Sequence, residues 1–87
     1  MRQQYQSASL VLGAEVVTLI LVAHAAVSTE VMAKRSMAAL MPRFQNSTVV
    51  LVANDAAGKP LFVGPKHLVG ILGQHRLQDF RWAPILV

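Results

Sequence analysis

The sequence contains no cysteine and few charged residues. None of its 87 residues is cysteine, which excludes both a disulfide framework and a metal site built on thiolates. Only 14% of the residues are charged, whereas 54% are hydrophobic, so the chain is more apolar than an ordinary soluble domain and is not disordered over most of its length. A chain this short buries only about 60 to 65% of its unfolded surface. We therefore expect lipid or partner proteins to contribute to its stability.

The sequence also lacks the complete signatures of catalytic sites. It contains no GxGxxG, no Walker A sequence and no GxSxG. His67 and His75 lie eight residues apart, whereas two metal ligands on one helix usually have a spacing of three or four. The formal net charge of +4 results from eight cations and four carboxylates. The cations are scattered and do not form a dense nucleic-acid-binding patch. We predict that the protein is not an enzyme, and we expect neither a metal nor nucleic acid as a ligand.

The longest apolar stretch is LVLGAEVVTLILVAHAAV, residues 10–27. As a helix these residues would extend over about 27 Å, close to the hydrocarbon thickness of a bilayer. Apolar residues lie all around the helical wheel, so the stretch lacks the polar stripe of a helix on a soluble fold. It predicts a transmembrane helix, with a fully buried helix in a soluble oligomer as the alternative. The stretch is interrupted only by Gly13, Glu15, Thr18 and His24.

Residues 28–41 continue without a helix breaker as far as Pro42, which ends the helix. Two alternatives remain open for this segment. Either one helix extends from about residue 8 to 41, or Ser28 or Thr29 caps a second, amphipathic helix.

The pattern changes after Ser47. The sequence STVVLVA predicts a short strand buried on both sides, NDAAGK a turn and PLFV a second strand, which together make a β-hairpin. Gly64 and Pro65 then open a short helix, since proline is accepted in a first helical turn. The end of the chain, DFRWAPILV, predicts an extended apolar tail.

We therefore expect a small α+β fold in which a long hydrophobic N-terminal helix comes first. Residues 1–9 form a polar N-terminal segment, and residues 10–41 form the hydrophobic helix, with a membrane span at about 10–27 and an amphipathic extension. Residues 42–87 form a region with the β-hairpin, the short helix and the tail. Lys34, Arg35 and Arg43 follow the span, so a single-pass membrane protein would have its C-terminal side in the cytoplasm.

Glu15 would lie near the middle of the predicted span. A carboxylate at that depth costs roughly 2.5 to 3.5 kcal/mol, so we expect it to face protein, water or a cation. It would pair with a cationic group on a neighbouring subunit, transfer protons, coordinate an ion, be simply protonated, or bond to Thr18 one helical turn later. Glu15 and Thr18 are therefore candidate interaction residues.

His24 is a candidate cofactor ligand, because a neutral imidazole on a membrane helix suits haem iron or the magnesium of a chlorophyll. The run LILVAHAAV resembles the surroundings of the ligand histidine in the single-helix bacterial light-harvesting polypeptides. The pair Arg81 and Trp82 is similar to their aromatic, basic C-terminal side. The resemblance implies a pigment or haem bound by His24, with Arg81 and Trp82 as interaction residues. The alternative is a histidine hydrogen-bonded across a helix interface.

The predicted strand pair is too small to bury both of its own faces. Val49 and Leu51 would then be interaction residues that other chains cover. These features predict a small, non-catalytic structural or accessory subunit of a larger membrane assembly, in contact with lipid and with other subunits or copies of itself. One alternative is a soluble homo-oligomeric structural or interaction protein of a phage or plasmid type, with the apolar helix as the oligomer core. The other is a pigment- or haem-binding membrane polypeptide.

Overall fold

The computed structural model describes residues 4–54, 57–75 and 79–86. These residues form five β-strands and two α-helices, with one short 3-10 segment on each side of the first helix. In chain order the elements are β1 (Gln4–Leu12), β2 (Glu15–Leu21), α1 (Glu30–Leu40), β3 (Thr48–Asn54), β4 (Pro60–Val63), α2 (Lys66–Leu72) and β5 (Ala83–Leu86), and the 3-10 segments are His24–Val27 and Met41–Arg43.

The stretch predicted as a hydrophobic N-terminal helix contributes instead to the hairpin of β1 and β2. Leu12 pairs with Glu15, which leaves Gly13 and Ala14 as a two-residue loop. Gly13 has a φ of 62°, whereas Ala14 does not have a positive φ, the combination of a type II′ turn, whose twist matches that of the flanking strands. The fold is α+β, but its strands come first and the predicted long N-terminal helix is wrong.

None of the helices in the described ranges is long and apolar enough to cross a membrane. The longest of them, α1, has 11 residues, and these extend over only about 16 Å. The predicted transmembrane helix, and with it the predicted single-pass membrane location with a cytoplasmic C-terminal side, are therefore wrong.

The sheet explains why residues 10–27 resemble a membrane helix in sequence. Its strand order is β4-β3-β2-β1-β5, with β2 and β3 parallel and the other pairs antiparallel. β2 and β3 are thus central strands, and helices lie on both faces of the sheet. A strand buried on both faces is apolar at every position and shows no alternation, so its sequence resembles that of a buried helix.

One helix packs against each face of the sheet, α1 on one side and α2 on the other. We call the two sides the α1 face and the α2 face. Val49 and Leu51 were predicted to contact another chain because a hairpin alone cannot bury both of its faces. In the structure α1 of the same chain covers them, so their burial requires no partner. The buried core residues are Ile20, Leu40, Val49 and Leu51 on the α1 face, and Ala8, Val17, Leu19, Val50, Val52, Leu68 and Leu72 on the α2 face.

The predictions for the rest of the chain rest on local signals, and several are confirmed. The Thr29 hydroxyl accepts a hydrogen bond from the Met32 amide at 3.1 Å, so α1 is a separate capped helix. β3 and β4 pair as the predicted hairpin, although part of its turn, residues 55–56, lies outside the described residues. Pro65 directly precedes α2 as predicted. The predicted extended tail contributes β5, which pairs with β1 at the edge of the sheet.

Candidate functional site

Glu15 is the first residue of β2, and its carboxylate connects three elements. One oxygen, Oε2, accepts a hydrogen bond from Thr48 Oγ1 at 3.1 Å, and the other, Oε1, accepts one from His67 Nε2 at 2.9 Å. Thr48 begins β3 and His67 lies in the first turn of α2. The Glu15 side chain is 40% exposed and that of His67 is 63% exposed. We call these three residues the Glu15 cluster.

The surroundings of Glu15 favour its ionised form. The hydrogen bond from His67 lowers the pKa of this carboxyl group most, and the bond from Thr48 lowers it further. Partial desolvation raises the pKa of Glu15, whereas the charge of His67 lowers it. In the described ranges no three His, Asp or Glu side chains are grouped so as to hold a metal ion. The cluster therefore connects β2, β3 and α2 at the surface of the molecule.

Thr18 does not meet Glu15. The two side chains lie on opposite faces of the sheet, because they are three positions apart on one strand. The Thr18 hydroxyl is 2.7 Å from the Ser47 hydroxyl, and Thr18 is only 7% exposed. This bond joins β2 to the residue before β3, so Thr18 contributes to the fold rather than to a surface site.

No α-helix contains the predicted site residues His24, Arg81 and Trp82. His24 begins the first 3-10 segment, just after β2, and it is exposed. The helix on which pigment or haem ligation by His24 was predicted is therefore not present. Arg81 is exposed, whereas Trp82 packs against the core of the α2 face and meets the Phe80 ring edge to face, with 6.1 Å between ring centroids.

The α1 face of the sheet is only half covered. Five strands about 4.8 Å apart make a sheet about 19 Å wide, whereas a packed helix covers about 10 Å. α1 packs over β2 and β3 through Met37 and Leu40. Cross-strand register places six residues of β1 and β5 on the same side as Ile20, and none of the six is buried. We call them the open half-face: Tyr5, Ser7, Ser9, Val11, Ala83 and Ile85.

On the α2 face, by contrast, side chains beyond the helix also cover the sheet. Phe80 and Trp82 pack beside Ala8 of β1 and continue the cover that α2 begins. The described residues therefore cover one face of the sheet beyond the helix but leave the corresponding half of the other face exposed or only partly buried.

A groove of about 540 Å³ lies between α1 and residues 22–26, and Tyr5 belongs both to its lining and to the open half-face. Among the described residues that line it, only Arg35 is charged. The hydroxyl of Ser36, which also lines it, donates to the Ala26 carbonyl oxygen at 2.9 Å and is satisfied within the chain. We call this site the α1 groove; its lining consists of Tyr5, Val22, Ala23, Ala25, Ala26, Met32, Arg35, Ser36, Ala39 and Leu40.

α1 also exposes apolar side chains on its outer surface, beside the exposed Arg35. Helical spacing places Val31, Met32 and Ala39 away from the buried residue Ala33, and Val31 is 62% and Met32 39% exposed. The ion pair of the helix, Glu30 with Lys34 at 3.7 Å, lies on the flank opposite the groove. The half of α1 that faces away from the core is therefore suited to contact another apolar surface.

Sequence reasoning missed this groove because its walls come from distant parts of the chain. Tyr5 joins Met32 and Arg35 only once β1 has paired with β2. One sequence signal was available, namely Val31 and Met32 on a helix whose core positions are Ala33 and Leu40. No protein-family model, no curated protein and no solved structure matches this chain.

Proposed function

We propose that this chain is a non-catalytic accessory module that binds a helix of a partner protein in the α1 groove. The bound helix lies beside α1 and covers the open half-face. The observation that carries this proposal is the half-covered α1 face, where the sheet has room for a second helix and the described chain supplies only one.

The lining of the groove suits a helix better than a small polar ligand. Ala25, Ala26 and Ala39 are small, and small side chains allow a second backbone to approach closely. Met32 adds a flexible apolar side chain, a type common on surfaces that bind helices of varied sequence. These properties fit helix-in-groove recognition.

The edges of the sheet are less suited to docking than its face. The two outer strands, β4 and β5, each contain a proline, Pro60 and Pro84. Proline cannot donate a backbone hydrogen bond to an added strand, and its presence on an edge strand opposes edge-to-edge pairing. A partner is therefore expected on the open half-face rather than at an edge.

Site-specific photo-crosslinking tests the proposal. A photoreactive amino acid replaces Ala39 in the groove or, as a control, Gln74, which is exposed and follows α2. In the cells that make the protein, position 39 should crosslink to a helical segment of one other protein, identified by mass spectrometry. Position 74 should not.

A second substitution distinguishes specific binding in the groove from non-specific crosslinking. Met32→Glu places a charge in the groove wall without touching the core, so it should abolish the crosslink from position 39 while the chain keeps its circular dichroism spectrum. If positions 39 and 74 capture the same proteins, or if Met32→Glu leaves the capture unchanged, the proposal is wrong. Crosslinks between copies of this chain would identify the occupant as a second copy instead.

A further inference from the structure

Arg35 gives the α1 groove a charge that no described carboxylate balances. It is exposed in the wall of the groove, and in the described ranges it forms no ion pair with Glu15, Glu30 or Asp79. A docked helix would remove part of the water around the guanidinium. Desolvating an unpaired charge is costly, whereas a carboxylate placed opposite it offsets that cost.

Neither α1 nor α2 of a second copy would offer such a carboxylate, since α2 (Lys66–Leu72) contains none. On α1 the carboxylate of Glu30 lies on the flank opposite the groove and is paired with Lys34. A two-fold pair of helices would instead place the same surface of both copies together, and with it both Arg35 side chains. The net charge of +4 on each copy adds to the repulsion.

We propose that the partner helix carries an aspartate or glutamate on its apolar face, positioned to pair with Arg35, and that this pair makes the groove select an acidic helix from another protein. This inference rests on the proposed function and specifies the chemistry of the partner. The planar guanidinium can bind a carboxylate through two parallel hydrogen bonds. Such a pair fixes the register of the bound helix and selects a helix with a negative charge at that position.

Three synthetic peptides test the selection. They are amphipathic helices of about five turns, stapled on the polar face, and they differ only at the centre of the apolar face, which holds Glu, Gln or Lys. Binding to the isotope-labelled chain is followed by NMR through the amide signals of Met32 and Ala39, with Gln74 as the remote reference. The Glu peptide should bind about tenfold more tightly than the Gln peptide, and the Lys peptide should bind most weakly.

Variants of the chain separate the role of Arg35 from that of general charge. Arg35→Gln should make the Glu and Gln peptides bind equally, and Arg35→Glu should make the Lys peptide the tightest. Lys34→Gln, which removes a neighbouring cation outside the groove lining, should leave the order of affinities unchanged. The preference for the Glu peptide should also diminish as the salt concentration rises.

The outcomes distinguish this inference from the proposed function. If the Glu and Gln peptides bind wild type equally and both shift the groove signals, the acidic partner is refuted and the helix-binding groove remains. If no peptide shifts those signals, both proposals fail. A homodimer of the purified chain that Met32→Glu dissociates would overturn the inference as well, because the second copy would then be the occupant.

Discussion

Glu15 and His67 are separated by 52 positions in the sequence, and their side chains meet at 2.9 Å between Oε1 and Nε2. The contact joins the start of β2 to the first turn of α2 across one end of the sheet. A carboxylate that would be costly inside a bilayer is thus placed at a half-exposed surface position with two hydrogen-bond donors, His67 and Thr48. The position of Glu15 fits a sheet much better than it fits a membrane helix.

The Glu15 cluster predicts a specific pH dependence of stability. The pKa of Glu15 is lowered in the folded chain, so its ionised form stabilises the fold at and above the ordinary carboxyl range. This contribution is lost as the pH falls through the lowered value. Glu15→Gln should be less stable than wild type near neutral pH, and the difference should disappear on acidification. Urea denaturation between about pH 7 and about pH 3 measures both chains.

The other three acidic side chains, Glu30, Asp55 and Asp79, are the same in both chains, so the difference between the two stability curves isolates Glu15. His67→Ala should show the same convergence at low pH, because it removes the hydrogen bond that lowers the pKa of Glu15 most. A stability difference between wild type and Glu15→Gln that stays constant over the whole pH range would mean that the carboxylate makes neither hydrogen bond in solution.

Two glycine substitutions should change stability in opposite directions. Gly13 has a positive φ in the β1–β2 turn, so Gly13→Ala should destabilise the fold by about 1 to 2 kcal/mol. Gly70 lies inside α2, and an added Cβ would meet nothing within 4 Å. Gly70→Ala should therefore stabilise by about 0.5 to 1 kcal/mol. Chemical denaturation measures both. If Gly13→Ala also proved stabilising, residue 13 would be helical and the hairpin would be wrong.

The parts of the fold that sequence predicts are those with local signals. Each of these signals determines the structure of residues only a few positions away. They are Thr29 before a helical pattern, Pro65 at the start of α2, and the turn residues between β3 and β4. Each of these assignments depends on short-range geometry, so no knowledge of the remaining chain was needed to make it.

The β1–β2 hairpin was missed because its second strand is central. Val17, Leu19 and Ile20 are fully buried on two faces, and such a run shows neither helical nor strand periodicity. The sequence did contain one useful signal, Gly13 followed by Ala14 between the short aliphatic run at 10–12 and the mostly apolar residues 16–22. Glycine at the first position is typical of a type II′ hairpin loop. The open half-face could not be predicted, since it depends on which strands become neighbours.

An engineered disulfide tests the hairpin directly. Val11 and Val16 are opposite each other in the register of β1 and β2 and are both exposed, so Val11→Cys with Val16→Cys should oxidise readily to a disulfide. The chain has no other cysteine. Leu12→Cys with Val16→Cys is the matched control, because these positions are neighbours on a helix but lie on opposite faces of a sheet. Rapid oxidation of the control pair instead would refute the hairpin.

Thiol protection in the native assembly tests most directly whether a partner covers the open half-face. Ser9→Cys places the only thiol of the chain on that surface, and Gln74→Cys places it beyond α2 as a reference. In the purified chain, both thiols should react with a maleimide at similar rates. In the assembly isolated from cells, the thiol at position 9 should react at least about tenfold more slowly, while the thiol at position 74 should be unchanged. Equal rates at position 9 in the purified chain and in the assembly would contradict a partner on the open half-face.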